Sequence, residues 1–184
     1  THSYSSAASD VYKRQIDHRG PEFSEMTLEI LEGIKKIVKG EECIPIIFPS
    51  SGTGAWEAAL VNILSEGDKV LMYDTGHFSS LWKNMAEKLG FDVVYIQSDW
   101  RSGVDTNKII ETLEQDKDQK IKAVCMVHNE TSTGVTSKIP STIKNIKSLN
   151  HPAIIMVDTI SSLGSIDYYH DEWMVDVTVA GSQK

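Results

Sequence analysis

Ala153-Ile154-Ile155-Met156-Val157-Asp158 is a short run with apolar side chains at successive positions, closed by an acid. A strand that buries only one face alternates apolar with polar residues. A run without alternation belongs to a strand covered on both faces, the usual state of a parallel sheet. The same kind of segment recurs along the chain at Val70–Asp74, Val93–Gln97, Ala123–His128 and Val175–Ala180. An earlier apolar run, Ile44-Pro45-Ile46-Ile47-Phe48, is read as the first strand of the set.

Helical periodicity fills the intervals. Phe23, Met26, Ile30, Ile34, Ile37 and Val38 recur at helical spacing, which predicts a helix over about 23–39 stopped by Gly40. Further helices are expected over about 54–64, 78–89, 106–116 and 140–149. Strands alternating with helices define an α/β fold, a mostly parallel sheet with helices on both faces. Ligands of such sheets gather at the carboxyl ends of the strands.

The chain of 184 residues suits one domain. A hydrophobic fraction of 40%, a charged fraction of 24% and a net charge of -8 argue against nucleic acid or an anionic membrane as partner. No apolar run reaches the length of about 18 residues that a membrane helix needs. The two cysteines, Cys43 and Cys125, are far apart and in no metal-ligand spacing, so no metal is expected and the thiols read as small buried hydrophobes. The cytoplasm is the expected location. Residues 1–15, rich in Ser and Ala and without an apolar period, read as a tail outside the domain, which is taken as 16–184.

Three places carry candidate chemistry. Ser51-Gly52-Thr53 precedes the second helix, where free backbone N–H groups, a positive dipole end and a glycine admit a phosphate. No Gly-Lys-Ser/Thr follows, so this is not a P-loop, and Glu57 stands where a dinucleotide fingerprint has its third glycine. A ligand-free helix cap accounts for the same three residues equally well. Asp158 ends an apolar strand, where a carboxylate is costly unless something pairs with it; a protonated pyridine nitrogen is one such partner. Lys184 follows the last expected strand and the turn Gly181-Ser182-Gln183. Partial desolvation there favours the neutral amine, a nucleophile towards an aldehyde.

Together these residues resemble the class V, fold-type I pyridoxal-phosphate aminotransferases, and within them the serine–glyoxylate and alanine–glyoxylate branch. The segments that carry the resemblance are Asp17–Phe23, Ser51–Leu60, His128–Gly134, Val157–Gly164 and Gly181–Lys184, in the family's order. The resemblance implies that Ser51, Gly52 and Thr53 hold the phosphate of pyridoxal 5'-phosphate with help from Gln183. It implies that Phe78 stacks on the pyridine ring, that Ile160 packs on the other ring face, and that Thr131 lies near the phenolic oxygen. It implies further that Asp158 pairs with the ring nitrogen and that Lys184 tethers the cofactor aldehyde and shuttles the proton. His77 and His128 sit near strand ends and read chiefly as structural.

The implied reaction is transamination between a small amino acid (serine or alanine) and a 2-oxo acid such as glyoxylate, in a homodimer. Other class V chemistry (a cysteine desulfurase or lyase) and a non-catalytic phosphate- or nucleotide-binding module are the alternatives. Family members continue beyond the cofactor lysine into the rest of the large domain and a smaller domain that carries a carboxylate-gripping arginine. The chain is therefore expected to be a fragment, poorly active by itself.

Overall fold

A computed structural model of the chain describes residues 15–183. The expected tail lies outside the described residues except for Gln15, and so does Lys184. The elements run α1 (Pro21–Val38), α2 (Gly52–Ile63), β1 (Lys69–Tyr73), α3 (His77–Lys88), β2 (Asp92–Ile96), α4 (Thr106–Gln115), β3 (Ile121–Val127), β4 (Asn129–Glu130), β5 (Val135–Thr136), α5 (Ile139–Ser148), β6 (Ile154–Asp158) and β7 (Val177–Val179).

Five strands form one sheet in the order β2-β1-β3-β6-β7, every pair parallel. β4 and β5 form a separate antiparallel hairpin. Alternate residues of each strand feed two cores. Leu71, Tyr73, Val124, Met126, Ile155 and Val157 pack with residues of α1, α4 and α5. Val70, Met72, Ala123, Cys125, Val127 and Met156 pack with residues of α2 and α3. Burial on both faces is why these strands read as unbroken apolar runs.

The segment Ile44–Phe48 corrects the sequence reading: it is irregular and pairs with no strand among the described residues. Ile44 is 85% exposed and Ile46 70%. Apolar composition marks a segment that fits a sheet, but strand structure needs ladder partners, and Pro45 has no N–H to offer one. The last strand is also shorter than expected. Met174 adopts a left-handed φ of 57°, and Val175 donates to the carbonyl of His170 rather than to a ladder, so β7 begins at Val177.

Candidate active site

Three buried acids lie at or within three residues of the carboxyl ends of β1, β3 and β6: Asp74 just after β1, Glu130 in the hairpin that follows β3, and Asp158 at the end of β6. Asp158 is the last residue of β6, 4% exposed. Its Oδ1 accepts the backbone N–H of Ile160 at 2.7 Å, and its Oδ2 accepts the indole N–H of Trp56 at 3.0 Å. No Lys, Arg or His pairs with it among the described residues. Burial pushes its pKa up to about 6 and the charge of Glu130 adds to the rise, while the two hydrogen bonds oppose it. The site thus holds an acid in want of a positive partner.

Ser51 caps α2 in an extended conformation, its Oγ accepting the Gly54 N–H at 3.4 Å. The N–H groups of Gly52 and Thr53 meet no acceptor among the described residues, as expected of a helix start. Correcting the sequence reading, this cradle follows an irregular segment rather than a sheet strand. Gly52 is buried, and a Cβ placed on it would lie 2.5 Å from Cδ1 of Ile160. The cradle, Ile160 and Asp158 are therefore one cluster, joined by contact and by the Ile160 N–H.

Phe78 begins the second cluster. It lies in the first turn of α3, half-buried, and borders the same core as Ile160 and Trp56. The hairpin β4–β5 grips that turn. Glu130, fully buried, accepts from the N–H groups of Phe78 (3.2 Å) and Ser79 (3.1 Å), and Ser132 Oγ accepts from that of His77 (2.9 Å). A carboxylate is well placed at a helix N-terminus, where it meets free donors and the positive dipole end. Thr131 is exposed in the turn between β4 and β5.

Gln183 is exposed and folds against Gly181, and Lys184 lies outside the described residues. His77 is exposed, its ring edge-on to Phe78. His128 is buried among Tyr168 and Trp173 with Nδ1 3.0 Å from Ser162 Oγ, and burial lowers its pKa, so it serves structure. Sequence reasoning assigned no role to Trp56 or Glu130. Both lie inside the segments that carried the resemblance, but their partners are distant in sequence.

An open, all-parallel main sheet flanked by helices on both faces, with a buried acid at a strand end beside a helix start, defines an α/β protein of the fold shared by class-V aminotransferases. The class-V aminotransferase family matches residues 1–184, and the chain belongs to that family. It is 49% identical over 168 residues to the serine–glyoxylate aminotransferase of Methylorubrum extorquens, covering 91% of this chain and 42% of that protein. It is 45% identical to the L-aspartate–glyoxylate aminotransferase of Paracoccus denitrificans, covering 92% and 43%. The crystal structure of an alanine–glyoxylate aminotransferase from Nostoc sp. superposes with a TM-score of 0.84 at 28% identity, over 92% of this chain and 44% of that one. The chain spans less than half the length of these relatives.

Proposed function

We propose that the chain forms the cofactor-binding part of a pyridoxal-phosphate-dependent aminotransferase that moves an amino group from a small amino acid to glyoxylate. The observation that carries this reading is Asp158, buried and with no cation paired to it among the described residues, beside a helix start whose glycine is closed over by Ile160. That arrangement fits the cofactor at both of its poles.

Ser51, Gly52 and Thr53 would hold the phosphate through the free N–H groups of α2 and two hydroxyls. Asp158 would hold a proton on the ring nitrogen, and Ile160 and Phe78 would bound the ring faces. The cofactor supplies an electron sink for charge that develops on the substrate α-carbon. Lys184 Nζ would tether its aldehyde carbon and would serve as the base that carries the proton from the α-carbon. Gln183 and Thr131 would complete the contacts at the phosphate and the phenolic oxygen.

The relatives differ in amino donor and share glyoxylate in their names, which supports glyoxylate as acceptor more firmly than any one donor. Serine or alanine is the proposed donor. Cys125 is buried with its thiol pKa pushed up, and burial also raises that of Cys43, so neither of these two thiols lends support to desulfurase chemistry. The exposed Leu28, Ile37, Ile44 and Ile46 support further burial against protein, in keeping with a homodimer.

The test is glycine formation from glyoxylate by the cofactor-loaded protein at the full length of its relatives, with serine, alanine or aspartate as donor. Serine or alanine should give turnover, and Asp158→Asn should lower it at least about 100-fold, the size of one lost charged hydrogen bond. A protein that binds the cofactor but forms no glycine with any of the three would contradict the assignment.

A further inference from the structure

Trp56 lies one turn into α2, beyond the cradle, and is 3% exposed. Its ring stacks on Trp82 of α3, with centroids 5.8 Å apart and planes 12° from parallel. Its only polar atom, the indole N–H, is spent on Asp158 Oδ2. With the Ile160 N–H on Oδ1, the carboxylate is held at both oxygens and its plane is fixed.

We propose that Trp56 is a positioning residue for Asp158. Its indole N–H orients the carboxylate offered to the ring nitrogen, favours its charged form, and ties it to the helix whose first turn would receive the phosphate. The proposal rests on the reading of Asp158 given above. Its physical basis is a balance. Burial and the Glu130 charge favour the protonated acid, and the N–H groups of Ile160 and Trp56 are the groups that oppose them. His128, whose backbone N–H donates to the Asp158 carbonyl, turns its ring to Ser162 instead. Phenylalanine would keep most of the stacked bulk and give no hydrogen bond, so the two roles of Trp56 are separable.

The experiment uses cofactor-free protein, so it does not depend on turnover. Infrared titration of 13C-aspartate-labelled protein, with Asp158→Asn as the blank, reports the Asp158 midpoint. Trp56→Phe should raise that midpoint by about one pH unit, a roughly tenfold weaker acid. An unchanged midpoint in folded Trp56→Phe would overturn the proposal.

A measurement on the unmutated protein guards against a variant that fails to fold. Of the four tryptophans, one 15N-indole resonance should move with the Asp158 midpoint and lose that movement in Asp158→Asn. Four indole signals indifferent to Asp158 would also overturn the proposal. The parent reading fails separately: normal pyridoxal-phosphate absorption and affinity in Asp158→Asn would remove the ring partnership, whatever the indole does.

Discussion

Glu130 and Phe78 are joined across 52 residues of sequence, the buried carboxylate accepting the backbone N–H of the residue proposed to face the cofactor ring, at 3.2 Å. The aromatic is thus placed by its main chain, and the hairpin that carries Thr131 is locked to the helix that carries Phe78. Glu130→Ala would strand the N–H groups of Phe78 and Ser79 and leave a cavity. We expect a loss of about 3 kcal/mol in urea unfolding, with Glu130→Gln losing less. A change within about 0.5 kcal/mol would mean that solvent replaces the cap.

Asp158 makes the cofactor-free protein less stable as pH rises. Its folded pKa of about 6 lies above the ordinary aspartate value of 3.8, so between these values the folded state binds more protons than the unfolded one. The contribution is most favourable at or below pH 3.8, declines up to pH 6 and is constant above. The full span is about 3 kcal/mol. Unfolding free energies measured from pH 4 to 7 should contain this decline in the wild type and lack it in Asp158→Asn.

His128 works in the opposite sense. Its folded pKa is lowered below 6.5, so the unfolded state takes up a proton that the folded state resists. Stability from this group is present above pH 6.5 and is lost as pH falls. NMR titration of the His128 ring should place its midpoint below 6.5; a midpoint at or above 6.5 would contradict the buried neutral ring.

Gly52 tests whether cradle and ring acid form one site. A methyl group there meets Ile160 Cδ1, the end of a flexible side chain, so Gly52→Ala should leave unfolding stability within about 1 kcal/mol. Ile160 must turn away, however, and pyridoxal-phosphate affinity should fall about tenfold or more. Adding Ile160→Val removes the colliding atom and should restore part of the loss.

Much of this architecture was legible in the sequence because parallel strands buried on both faces announce themselves as unbroken apolar runs, as at Ile154–Val157. Helix ends came within a few residues because Gly40 and Gly90 follow the last turns they close. Ile44–Phe48 misled because apolar composition says nothing about whether a ladder partner exists. Asp158 stood out as an acid at the end of an apolar strand. Trp56 and Glu130 did not, since a tryptophan in an Ala-rich helix reads as core and a glutamate in a polar loop reads as surface. Only the tertiary fold reveals that each spends its polar atoms on a residue of the site.

The most direct test of the account is reductive trapping. Protein incubated with pyridoxal 5'-phosphate, treated with borohydride and digested should carry the reduced cofactor on the peptide containing Lys184, and Lys184→Ala should leave that label absent. Label on other lysines, undiminished in Lys184→Ala, would contradict the claim that this chain builds a pyridoxal-phosphate site around Asp158.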